Sequence, residues 1–150
     1  MDPSEELRRS FRSVLVVAVS ILVTLLLFLA LEEVMRVRLK PFAGYAADGN
    51  PQTLRYFVFG LAVAVIVLIR VIRGAMLRKR PGEDAAALAQ KIARASIVTF
   101  VLAEVPAVLG LVLFFLRGLN RDFYALLFVS LIIVFMHFPR RSSWEEWIAS

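Results

Sequence analysis

The chain has 150 residues, 60% of them hydrophobic, and a mean hydropathy of +0.77, a composition too apolar for a water-soluble domain of this size and typical of a membrane protein. It contains no Cys, which excludes disulfides, thiolate metal sites and cysteine nucleophiles, and its one histidine, His137, excludes a haem held by two histidines of one chain. The net charge of +6 does not describe a nucleic-acid face: the basic residues gather at the ends of apolar segments, where they act as membrane anchors.

In chain order, MDPSEELRRSFRS opens a helix, with Asp2 as N-cap, Pro3 at the first helical position and Glu5 three residues after Asp2. Val14 to Leu31 is an uncharged Leu- and Val-rich stretch long enough to cross a bilayer. Arg8-Arg9-Ser10-Phe11 has a superficial likeness to a twin-arginine export signal. No small-x-small cleavage site precedes Glu32-Glu33, and the apolar run exceeds a signal core, so the segment is expected to be an uncleaved anchor.

Residues 32–55 form a first loop with Pro41, Gly44 and Asp48-Gly49-Asn50-Pro51, read as turn-rich and aqueous, whose 32–40 part extends the first helix. Residues 56–72 make a second span that begins with an aromatic belt at Tyr56-Phe57 and ends where Arg70 and Arg73 snorkel to the headgroups. Pro81-Gly82 marks the turn of a basic second loop, and an Ala-rich helical run leads into a third span at 95–116. Gly118 is placed as a helix C-cap in the reversal before a short fourth span at 123–138. In the tail, 142–150, Ser142 with Glu145 and Ser143 with Glu146 are alternative capping boxes. Trp144 and Trp147 share one side of what reads as a short interfacial helix at headgroup depth.

The expected fold is therefore all-α: one polytopic domain, a four-transmembrane-helix antiparallel bundle with an interfacial tail, in a bilayer that is its first partner. The N-terminus, second loop (with Arg70) and C-terminus hold twelve Lys or Arg against six in the other two loops, so both termini are expected in the cytoplasm, as in a bacterial inner membrane. There is no Gly-rich phosphate loop, G-x-S-x-G, H-E-x-x-H or paired His set, so neither an enzyme nor a metal or cofactor site is expected.

The residue with most chemistry is Glu104, near the middle of the third span. A helix rises about 1.5 Å per residue, so the carboxyl lies roughly halfway through a hydrocarbon core of about 30 Å. Lipid does not solvate it there, and such a group faces protein or water, or carries a proton. Two residues later Pro106 removes an N–H and crowds the carbonyl of Leu102, which bends the helix and leaves that carbonyl in need of a donor, from protonated Glu104 or a water. Ala95, Thr99, Ala103 and Ala107 recur every fourth residue, the small-residue ladder that admits a close neighbouring helix. Glu104 thus borders a seam, and two roles stand open: a proton- or ligand-binding carboxyl, or a structural hydrogen-bonding group.

The run from Arg80-Pro81 through Lys91-Ile92 to Phe100-Val101-Leu102-Ala103-Glu104-Val105-Pro106-Ala107-Val108-Leu109-Gly110-Leu111-Val112, within about residues 78–116, resembles the loop and second helix of rotary ATP synthase c subunits (proteolipids). The resemblance implies that Glu104 is a reversibly protonated carboxylate, that Gly110-Leu111-Val112 continues its helix and that the preceding loop is cytoplasmic. Val105 stands where sodium-binding members tend to carry a hydroxyl, which implies protons. The second span departs from the family in having Gly60 alone where c subunits are dense in glycine, and the first and fourth spans have no counterpart. Leu102-Ala103-Glu104-Val105 is also similar to the glutamate helix of small multidrug transporters. The function expected is movement of protons or a proton-coupled solute by Glu104, within an assembly with itself or other membrane subunits. The alternative is a non-catalytic structural subunit or assembly factor.

Overall fold

The computed structural model describes residues 3–46, 50–78 and 82–149. Among them are five helices and no strand: α1 (Pro3–Arg38), α2 (Pro51–Met76), α3 (Ala85–Arg117), α4 (Asn120–Met136) and α5 (Arg141–Ala149). The expected Asp2 cap and the turn residues Asp48, Gly49 and Pro81 lie outside the described residues. Among those described, three helices are long and apolar enough to cross a membrane, and a fourth crossing results if α4 and α5 count as one span bent by 55°.

The helices run past the predicted spans wherever a local signal carries them further. α1 is continuous from Pro3 through Glu32 and Glu33 to Arg38, so the 32–40 segment is helical nearly throughout. α2 begins at Pro51, five residues before the predicted belt, because the Asn50 side chain accepts from the Gln52 amide at 2.9 Å and Pro51 suits the first helical position. α3 starts behind Asp84, whose carboxylate accepts from the Ala87 amide at 2.8 Å, and ends at Gly118 in the left-handed conformation (φ 65°) as its sequence requires.

The tail differs from its expectation. α5 starts at Arg141, so Ser142 and Ser143 lie inside the helix and neither serine is its cap. Arg141 is free to bond Glu145 one turn on, at 2.8 Å, and this takes the carboxylate that one capping box requires. Trp144 is buried edge-on against Phe11 of α1, with ring centroids 5.5 Å apart, and Trp147 is half-buried.

α3 is the central helix: α1, α2 and α4 each pack on it, α1 touches α4 slightly, and α2 packs substantially on α3 alone. The reason lies in α3 itself, whose ladder Ala95, Thr99, Ala103 and Ala107 is buried throughout and extended by Gly110. A Cβ on Gly110 would stand 3.1 Å from the Leu126 side chain and the Phe123 backbone, so the small residue sets how closely α4 approaches. On another face Leu113 joins Val58 and Ala62 of α2 and Leu126 of α4 in a satellite cluster.

The first loop is mostly exposed but tied to α3. After α1 it turns through a cis Lys40–Pro41 bond and lies across the end of α3, where the amides of Tyr45 and Ala46 donate to the carbonyls of Phe115 and Leu116 at 2.8 and 3.0 Å. These are carbonyls a helix end leaves without an intrahelical partner. Phe42 seats against Phe114, centroids 5.0 Å apart. At the other end of the bundle Lys91 holds the second loop, donating to both oxygens of Glu83 at 2.6 and 2.8 Å and to the Arg78 carbonyl at 2.6 Å.

Candidate functional site

Glu104 is half-buried, and its carboxylate meets no hydrogen-bond donor and no cation among the described residues. At about 100° per residue it sits between buried Ala107, which faces α4, and the exposed stripe Val101, Val108 and Val112. Leu109 and Leu113, which face α2, are on the other flank. Of the residues named beside it, Ala103, Pro106 and Ala107 are buried and Leu102 is half-buried against the core.

The disturbed turn at Pro106 is engaged from α4, by a residue the sequence reading did not single out. Ser130 is fully buried, and its Oγ accepts the Ala107 N–H at 3.0 Å. The amide after a proline is crowded away from its own helical acceptor, so a hydroxyl across the interface satisfies it. This bond also fixes the register of α4 on α3.

A second carboxyl site lies further along the bundle. Glu32 is completely buried at the end of α1, and one of its oxygens, Oε1, has no hydrogen-bond partner. Its other oxygen is 2.7 Å from the Tyr124 hydroxyl of α4, and Glu33 Oε1 is 2.5 Å from that same hydroxyl. Arg36 pairs with Glu33 at 2.6 Å. A phenol has one proton to give, and two carboxylates only accept. The single phenol proton is therefore shared between the two carboxyls, and Arg36 pairs with Glu33 alone.

Counting from the Ala107–Ser130 contact, Tyr124 is six residues along α4 and Glu104 three residues the other way along α3. The two carboxyl sites are therefore about 13 Å apart along the bundle axis at 1.5 Å per residue. Tyr124's neighbour Asp122, also buried, is tied to α2 by Arg55 at 2.8 Å, the Arg55 guanidinium standing over the Phe59 ring as well. The described residues hold no cluster of His, Asp or Glu suited to a metal ion.

Glu32 was legible in principle. Val14, Ala18, Ile21, Leu25 and Phe28 alternate steps of four and three, and the next step is position 32. The span read as ending at Leu31 stops one residue short of it.

No protein-family model, no curated protein and no solved structure matches the chain.

Proposed function

We propose that this is an integral membrane protein, of the bacterial inner membrane, that moves protons or a proton-coupled solute through reversible protonation of Glu104. The observation that carries the reading is a carboxyl midway along an apolar helix that meets neither donor nor cation among the described residues, at the margin between a packed seam and an exposed apolar stripe. A structural hydrogen-bonding glutamate would have a partner there, and among the described residues Glu104 has none. The Glu32, Glu33 and Tyr124 cluster supports the same reading, since it supplies a second protonatable carboxyl about 13 Å further along the bundle. The c-subunit-like run around Glu104 is consistent with it.

The test is hydrophobic carbodiimide labelling, which modifies protonated carboxyls in apolar surroundings, together with dye-reported proton flux in proteoliposomes. Labelling at Glu104 is expected to fade as pH rises. Glu104→Gln is expected to abolish both labelling and flux while leaving the fold intact, because the amide keeps the shape of the protonated acid. Full flux in the Gln variant, or no labelling at any pH, overturns the reading.

A second reading, a non-catalytic subunit of a larger assembly, is favoured by α2. Its outer face carries Gly60 and Ala64 four residues apart, both exposed, and nothing lies within 4 Å of a Cβ at Gly60. The chain lacks cysteine, so a single Gly60→Cys variant reports self-association by disulfide formation without background.

A further inference from the structure

At the end of the bundle that carries the N-terminus, α2 and α4 do not close on each other, and α3 forms the floor between them. Two adjoining hollows result. One, of about 340 Å³, is polar at its rim and lined by Arg73, His137, Arg140, Ser143 and Trp147, with Ser96 among its walls. The other, of about 380 Å³, is an apolar groove between Ile66, Ile69 and Gly74 of α2 and Ile133 and Met136 of α4. Arg73, Leu77, Met136 and His137 line both, so the two are continuous.

The polar part is basic, with Arg73 and Arg140 in its lining. Arg73 is half-buried, and its Nη1 is shut off from solvent with no acceptor. Among the described residues no Asp or Glu lines either hollow, whereas Arg70 joins Arg73 along the apolar one. His137 is fixed at the junction by its Nδ1–H donating to the Ile133 carbonyl at 2.9 Å. A guanidinium withdrawn from water without an acceptor is costly unless something negative completes it.

From this arrangement we infer a binding site for an anionic phospholipid: the phosphate is held by Arg73 and Arg140, and an acyl chain lies in the groove between α2 and α4. The occupant is a lipid and not a free anion because the basic hollow opens into an apolar one along the helices, with Arg70 and Arg73 together at the end of apolar α2. Basic recesses between spans on the positively charged side of a membrane protein suit this chemistry. The site is independent of Glu104 and survives if the proton-carrier reading fails.

The test titrates the full-length protein in detergent with dioleoylphosphatidylglycerol, with dioleoylphosphatidylcholine and with inorganic phosphate, reading retained lipid by native mass spectrometry and the melting temperature in parallel. One phosphatidylglycerol per chain is expected to be retained in preference to phosphatidylcholine. Arg73→Gln is expected to weaken it about ten-fold, the loss of one charge-assisted contact. Gly74→Leu, which fills open space in the groove, and Arg140→Gln, at an exposed position, are expected to weaken it several-fold without disturbing the fold, so the test stands even if Arg73→Gln does not fold. Arg12→Gln, an equal charge change at the same end of the bundle outside both hollows, is expected to leave retention unchanged. Equal retention of phosphatidylcholine, equal stabilisation by inorganic phosphate, an equal loss in Arg12→Gln, or parental retention in Gly74→Leu overturns the proposal.

Discussion

Tyr124 places its hydroxyl 2.7 Å from Glu32, a residue 92 positions away on the opposite side of the chain's topology, and so links the end of α1 to the start of α4. Tyr124→Phe removes the one group that satisfies Glu32 and leaves a buried carboxyl unmet. The expected cost is about 1–3 kcal/mol, read as a lowered melting temperature in detergent. Glu32→Gln is expected to cost less than about 1 kcal/mol, because the amide keeps the shape of the carboxyl and its oxygen still accepts from the phenol. Equal destabilisation by Glu32→Gln and Tyr124→Phe means that the amide does not replace the carboxyl in this contact.

Gly44 and Gly82 offer a controlled pair, both with strongly positive φ, at 89° and 86°. A Cβ on Gly82 meets open space, so Gly82→Ala carries only the backbone penalty of about 1–2 kcal/mol. A Cβ on Gly44 meets the backbone of Leu116 and Arg117, which cannot swing away as a side chain can. Gly44→Ala is expected to cost about 3 kcal/mol or more and to release the first loop from α3, seen as new amide exchange at Tyr45 and Ala46.

The seam makes a third expectation. Ala103 has no exposed surface and Val108 is 40% exposed. Ala103→Leu is expected to overfill the packing at a cost of about 1–3 kcal/mol, and Val108→Leu to be nearly silent. Equal melting temperatures for the two variants in detergent rule the ladder out as a contact surface.

Topology is tested by a reporter at the C-terminus. The twelve-to-six excess of Lys and Arg at the N-terminus, second loop and C-terminus, with four crossings, puts that reporter in the cytoplasm. A signal from the opposite side means that α4 with α5 does not complete a crossing.

The sequence made the long helices legible because bilayer-length apolar runs are an uninterrupted signal, and it placed the seam because small residues at every fourth position have one geometric meaning. The caps at Asp84 and Gly118 were equally local; Gly118 was read as one, and Asp84 was readable in the same way. The relations that run between distant segments were hidden. Nothing near Pro106 announces that Ser130 will meet Ala107, and nothing in residues 42–46 announces that their amides will finish α3. Glu32 was the intermediate case: its periodicity was visible, but a charged residue after an apolar run reads as the edge of the membrane until the tyrosine that receives it is known. Trp144 is a similar case, since its pairing with Trp147 on one helical side is visible in the sequence and its contact with Phe11 of a distant helix is not.

The first loop's dependence on α3 has a consequence for biogenesis. Tyr45 and Ala46 can donate to Phe115 and Leu116 only after some seventy further residues have been made, and Glu32 waits longer still for Tyr124. Since α1 and α2 pack on α3 and not substantially on each other, neither has its main packing partner until α3 has been made. A chain halted before α3 therefore leaves Glu32 without Tyr124 and the first loop without the carbonyls it meets in the finished fold.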